Sequence, residues 1–371
     1  MKFGLDWKRD SAPAPGEKSL FGEPAKFQCG VYQLHSGVWA WMQPNGSWGE
    51  SNAGIVSDGG ETLVFDSLFD LKMTRNMLNA IKPIVQHAPV KTLVNSHANG
   101  DHTFGNQLFR GARIVATDAC AHEMSEEGPE VLLKGDVFAR TLSCCGLGGM
   151  PLWPLRRLDK YGKYFRRIFE PYDFKGIRLT LPTETFTDRY HGQVGSIPYQ
   201  LIKLGPAHTE GDIILYLPEQ KTIFAGDILF VEGTPAAWNV KIDNWIRAID
   251  IIDSMDVEII VPGHGPIIAK AGMDDLRAYL TMVIEKTECY YKNKTKPYDI
   301  AKQLLLQDKD FKSFRLWDSP ERLVIATNTV ARALDGEIAS YTPIDRIKVL
   351  WGSARLAYEL PDAAPRIVHT W

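Results

Sequence analysis

Four short segments constrain this chain more than any other feature, because each sets a metal-competent side chain just past an apolar, strand-like run. The run TLVNS leads straight into His97-Ala98-Asn99-Gly100-Asp101-His102. YQLIKLG is followed by His208 in GPAHTEGD, FAGD closes on Asp227, and VPGHG carries His264. Sites of α/β folds gather in loops beyond strand ends, and the glycines in these segments let the backbone turn sharply and approach an ion closely. One such residue would be ordinary: a lone histidine is usually satisfied by a backbone partner, and a loop aspartate usually caps or turns. His97, Asp101, His102, His208, Asp227 and His264, all at the same kind of junction, form a constellation.

The strands that carry these junctions fall in two stretches. In the first, VYQL, VWAWM, NAGIVS and ETLVFDS have strand-like periodicity, with hairpin chemistry at Asp58-Gly59-Gly60 and a longer, mobile tip expected at residues 44–49. LKMTRNMLNAI has apolar residues at helical spacing, VKTLVNS reads as a buried strand, and a helical stretch is expected near 117–140. The second stretch repeats this grammar: GIRLTLP, YQLIKLG, DIILYLP and KTIFAGD as strands, DNWIRAIDIIDSM as a helix, VEIIVPG as a strand. Strands followed by helices, twice, predict an α/β sandwich with sheets inside and helices outside. The expected organisation is an N-terminal arm (1–27), a sandwich domain (28–270) with a cap-like insert near 128–175, and a C-terminal helical region (271–371).

Composition narrows the function classes. With 42 Lys+Arg against 45 Asp+Glu the 371-residue chain has no global attraction to nucleic acid, so any anionic partner must be held by a local patch. Cys29, Cys120, Cys144, Cys145 and Cys289 are few and lack C-x-x-C spacing, which argues against a disulfide scaffold and a thiolate zinc site. No apolar run approaches the ~18 residues of a membrane span and the first residues lack a secretory apolar core, so the expected compartment is the cytoplasm. No Gly-x-Ser-x-Gly motif is found.

In these motifs and their order the chain resembles the metallo-β-lactamase superfamily, over roughly residues 28–268, down to the LVNSH, AHTEGD, FAGD and VPGHG contexts. The resemblance implies a four-layer αββα sandwich with a C-terminal helical appendage, and a metal-dependent hydrolase. It assigns His97 and His208 to a first metal site, Asp101, His102 and His264 to a second, and Asp227 as the carboxylate shared by both. Asp66, at the end of TLVFDS, falls where family members hold an acidic residue behind the ligands; a strand-end aspartate capping the next helix is the competing reading. One position departs from the pattern. Asn99 stands where the family has the second histidine of its H-x-H-x-D-H motif, and an amide oxygen is a weaker ligand than imidazole. The expected cofactor is therefore zinc, one or two ions, with manganese or iron as alternatives at the weakened first site.

The implied chemistry is attack by an ion-activated water on an ester, lactone, thioester or amide-type substrate, with Asp101 as the catalytic residue that orients the water and handles its proton. The alternatives are a metal-dependent oxidoreductase of the same superfamily and a non-catalytic binding protein that has lost its first site. The segment 155–169 has apolar residues at helical spacing and the cations Arg156, Arg157, Lys160, Lys163, Arg166 and Arg167 mostly elsewhere on the wheel. It reads first as a solvated helix packed on the core, then as a cap over a bulky or partly anionic small-molecule substrate, then as a contact to a membrane face. Trp48 on the tip is a candidate flap, whereas Trp39 and Trp41 are expected in sheet packing. Gly146-Leu147-Gly148-Gly149 reads as a hinge, and the C-terminal helices as a possible homodimer surface.

Overall fold

The apolar strands assemble into two sheets packed back to back. The computed structural model describes residues 4–126, 128–129, 156–238, 241–337 and 341–361. The first sheet runs in chain order from β1 (Leu5–Asp6), β2 (Gly30–His35), β3 (Val38–Met42), β4 (Ala53–Asp58) and β5 (Glu61–Phe65) to β6 (Val90–Val94), β7 (Arg113–Thr117) and β8 (Glu184–Phe186). The second comprises β9 (Arg189–Val194), β10 (Ile197–Lys203), β11 (Ile213–Leu217), β12 (Thr222–Phe224) and β13 (Ile259–Val261), in the order β13-β12-β11-β10-β9. In the β4–β5 hairpin, Gly59 and Gly60 both take positive φ, the backbone a tight turn needs. In the N-terminal segment β1 pairs in parallel with β2, and Phe21 and Phe27 are buried.

Side-chain alternation along the strands fills three layers. Leu63 and Phe65 of β5 point between the sheets, where they meet Leu201, Ile213, Leu215 and Phe224. Val64, between them, points outward onto Met73 and Met77. Those methionines lie on helix α1 (Leu71–Ala80), which Asp70 caps by accepting the Met73 N–H at 2.7 Å, a bond worth about 1 kcal/mol. Among the described residues the other helices of nine or more residues are α2 (Asp118–Glu126), α3 (Arg156–Phe169), α4 (Ile242–Ser254), α5 (Asp274–Lys292), α6 (Pro297–Leu306), α7 (Leu323–Leu334) and α8 (Pro343–Glu359). On the far face of the second sheet, Ile214, Ile223 and Ile260 pack with Trp245 and Ile249 of α4, Leu280 of α5 and Ile325 of α7 in one apolar cluster. Trp245 is fully buried and its Nε1–H donates to the Ile228 carbonyl at 2.8 Å; truncating such a residue costs about 3–5 kcal/mol. The result is the expected helix–sheet–sheet–helix sandwich with C-terminal helices.

Two local expectations are corrected. GIRLTLP (176–182) is not a strand: Leu179 and Leu181 are exposed, and the pairing partner of β7 is the less apolar Glu184–Phe186 just beyond. The 44–49 tip is not free either, since it is buried except at a half-buried Trp48. The Arg322 guanidinium lies 3.8 Å over the Trp48 ring, and the Tyr172 hydroxyl donates to the Trp48 carbonyl. Tyr164 and Ile168 of α3 are buried against Ala354 and Ala357 of α8, with Trp48 beside them. Trp39 and Trp41 pack on the sheet as expected. Most of the 128–155 part of the expected insert, with Cys144, Cys145 and the Gly146–Gly149 hinge, lies outside the described residues.

Candidate metal centre

The loops at one edge of the two sheets bring all seven sequence-predicted ligands together. His97, Asn99, Asp101 and His102 follow β6, with Gly100–Thr103 forming a helical turn that begins at Asn99. His208 follows β10, Asp227 lies in the turn after β12, and His264 follows β13. Glycine is required at two of these crossings. Gly226 takes φ +51°, and a Cβ at Gly263 would strike the Asp227 carboxylate, so this loop reaches the site only without a side chain.

The donor atoms fall into two sets that share Asp227. In the first, Asn99 Oδ1 lies 3.0 Å from His97 Nε2 and 2.7 Å from His208 Nε2, and Asp227 Oδ2 lies 3.7 and 3.4 Å from the same two nitrogens. In the second, Asp227 Oδ1 lies 3.0 Å from His102 Nε2 and 3.5 Å from His264 Nε2. Asp101 Oδ2 lies 3.9 and 3.2 Å from those nitrogens. Donors bonded at about 2.1 Å to a tetrahedral centre stand about 3.4 Å apart, so both sets have the spacing of a zinc-like cage. Moreover, His102 Nε2 and Asp227 Oδ1, both buried, face each other without a hydrogen bond. Buried polar atoms left unpaired are costly, and a shared cation satisfies both at once. The residues present therefore fit a divalent ion.

Electrostatics point the same way. Burial alone would raise the Asp227 carboxyl, but the imidazoles of His264, His102 and His97 hold it well below the usual carboxylate range. Asp101 is likewise brought down to about 2 by His102 and His264 against the pull of burial. Burial opposes charge on His102 and His264 as well, yet Asp227 and Asp101 raise both, His264 to about 9. His97 and His208 go the other way: burial lowers them, His208 to about 3, so they stay neutral and ready to ligate. The carboxylates thus demand positive charge, which a divalent cation supplies more directly than protonated imidazole.

Behind the donors stands a scaffold the sequence reading only partly saw. Asp66 resolves between its two readings: Asp70 caps α1, whereas Asp66 accepts the Ser96 N–H at 2.6 Å through Oδ1 and meets His102 Nδ1 at 2.9 Å through Oδ2. Ser96 Oγ meets His97 Nδ1 at 2.8 Å. The His102 carbonyl accepts from the Asn95 side chain at 3.1 Å and from the Ser67 N–H at 3.0 Å, and Asn95 is itself paired with Asn106. Phe230 lies flat on the His264 ring, centroids 5.0 Å apart. Asn95 stands next to the His97–His102 motif and was within reach; Phe230, Ser67 and Asn106 carry no local signature, since only the fold brings them to the site.

Comparison with known proteins agrees with this geometry. The sequence model of the Metallo-beta-lactamase superfamily matches residues 46–264, more than half of the chain. A curated relative, the 2,4-dinitroanisole O-demethylase subunit alpha of Nocardioides sp. (strain JS1661), is 22% identical over 68% of this chain, which spans only 61% of that protein's length. Among solved structures, a metallo-beta-lactamase family protein of Thermus thermophilus has TM-score 0.56 and 17% identity, covering 82% of this chain and 95% of the other. The stereoselective inverting sec-alkylsulfatase of a Pseudomonas species has TM-score 0.57 and 12% identity, covering 91% of this chain and 55% of its own. These structural likenesses bear on the fold.

Proposed function

The chain belongs to the metallo-β-lactamase superfamily, whose members include metallo-hydrolases such as β-lactamases and alkylsulfatases, and from that premise we propose that it is a metal-dependent hydrolase of esters, lactones, thioesters or amides. The observation that carries the reading is the convergence of the two donor sets on Asp227, with buried ligand atoms that find no other partner. A divalent ion held there would supply Lewis acidity and an activated water. Asp101, His102 and His264 with one Asp227 oxygen are the proposed holders of the tighter site. His97, Asn99 and His208 with the other oxygen would hold the weaker one, with Asn99 in the place of the family's second histidine. Zinc suits the imidazole-rich second set, and manganese or iron is an alternative at the first.

Asp101 has the proposed catalytic role. Its side chain is 17% exposed against 4% for Asp227, so it is the carboxylate that faces the approaching substrate. Held deprotonated, it can offer its other oxygen, Oδ1, to orient a water and take its proton, while Oδ2 would serve the ion. Asp227, buried and engaged on both sides, does not have that freedom. The proposed substrate is a small molecule, bulky or partly anionic. The described residues contain no helix long and apolar enough to cross a membrane.

The test is metal quantification of protein purified without chelator, joined to a hydrolysis screen. The panel covers lactones, thioesters, sulfate esters and phosphodiesters, plus an aryl methyl ether because of the relative named for O-demethylation. Activity that chelation abolishes and added metal restores supports the reading. Activity indifferent to chelation refutes it.

A further inference from the structure

Away from the ligand cluster, a surface cavity of about 440 Å³ is walled by Lys72 and Arg75 of α1, Arg110, Lys175 and Arg178, with Asp173 as the one carboxylate. We propose that this cavity binds a small molecule bearing clustered phosphate groups, such as a nucleoside di- or triphosphate, independently of the hydrolytic reading. In a chain whose net charge is −3, five cations around one concavity are a concentration of charge that composition does not explain. Among the described residues none of the five forms an ion pair. Asp173 is the one carboxylate of the lining that offsets them, so the concavity keeps a net positive charge that a polyanion complements.

The cavity is built, not accidental. Its two walls are tied together by hydrogen bonds that leave the cations free. Asp70, the cap of α1, uses Oδ1 on its own helix and Oδ2 to accept the Asp173 N–H at 3.0 Å. Across the cavity the Gln107 amide donates to the Gly176 carbonyl at 3.2 Å and accepts the Arg178 N–H. Fixed walls lower the entropic cost of holding a ligand, and the volume suits a small molecule.

A second sign lies in the helix itself. The first turn of α1 contains no acidic residue, and Lys72 occupies its second position, where a cation opposes the helix dipole. The Asp70 cap offsets part of that opposition, yet a cation in the first turn runs against the usual pattern and marks a place shaped by more than folding. An anion there is favoured by the dipole and by the guanidinium and ammonium groups together.

The experiment is isothermal titration of the metal-loaded full chain with tripolyphosphate at physiological salt. Metal content is measured afterwards to account for any ion withdrawn by the probe. Saturable one-to-one binding is expected, weakened at least about tenfold by the double substitution Arg75→Gln and Arg178→Gln and weaker still for inorganic phosphate. Lys72→Gln should also lower affinity while raising the melting temperature, which a merely structural lysine would not do. Equal affinity of wild type and double variant overturns the proposal. So does binding of single-stranded oligonucleotides, or of vesicles of phosphatidylcholine and phosphatidylserine, that needs these cations when tripolyphosphate does not bind.

Discussion

Asp66 and His102 are locked as a pair: both are buried, 2.9 Å separates Oδ2 from Nδ1, and the other Asp66 oxygen is held by the Ser96 N–H. This contact fixes the face of the ring and leaves Nε2 turned toward Asp101 and Asp227. Asp66 itself sits at φ +70°, a conformation asparagine also tolerates. Asp66→Asn should therefore fold normally yet lose metal affinity by about 10- to 100-fold. Competition titration against a chromogenic chelator measures this, and an unchanged affinity with an unchanged circular dichroism spectrum would contradict it.

At Asn99 the direction is reversed. Its Oδ1 already lies within 3.0 Å of two imidazole nitrogens, so an imidazole there would meet the same donor set. Asn99→His is expected to raise the metal stoichiometry and tighten the first site. His264→Ala should lower the stoichiometry and abolish any hydrolytic turnover. Elemental analysis after dialysis reads both.

Glu50 gives the protein a pH dependence of its own. It is buried, accepts the Leu20 N–H at 2.7 Å and the Ser47 N–H at 3.3 Å, and burial still pushes its carboxyl up to about 8. A carboxyl raised on folding contributes stability in full below its unfolded value near 4.5, and that contribution is lost as pH rises toward 8. Melting temperature should thus fall between those limits. In Glu50→Gln the slope should be shallower, with the two curves closest at the acid end. Parallel curves would show that Glu50 does not titrate in this window.

The stack of Arg322 on Trp48 makes a third kind of prediction. The guanidinium is buried, sits 3.8 Å above the indole and donates to the Thr234 carbonyl at 3.2 Å. Arg322→Ala removes the stack and that bond, and should cost about 2–4 kcal/mol in urea unfolding. Arg322→Lys should recover only part of this, because an ammonium lacks the planar face that covers the ring. A midpoint unmoved by either change would show that the contact carries no stability.

How far the sequence spoke depends on how local the signal was. His97, Asp101, His102, His208, Asp227 and His264 each stand in a short motif at a strand end, so period and punctuation sufficed to find them. Helices such as Asp274–Lys292 and Pro343–Glu359 were legible for a similar reason, since their apolar stripes recur within a few residues. What failed depended on distant chain. β8 and β9 are weakly apolar and are strands only because β7 and β10 offer them ladders. The Trp48 tip looked mobile from its glycines, yet Arg322 and Tyr172 cover it from elsewhere in the chain. Phe230 under His264 and Ser67 behind His102 are invisible for the same reason: a contact across the fold leaves no mark on the residues either side of it.

The seven candidate ligands are divided between the two sheets, four on the loop after β6 and three after β10, β12 and β13. An ion gripping both groups is a rivet through the seam of the sandwich, joining stretches of chain more than a hundred positions apart. Withdrawal of that rivet should then be felt well beyond chemistry: backbone amides along the rim would exchange with solvent sooner, and the halves would begin to come apart one before the other instead of together.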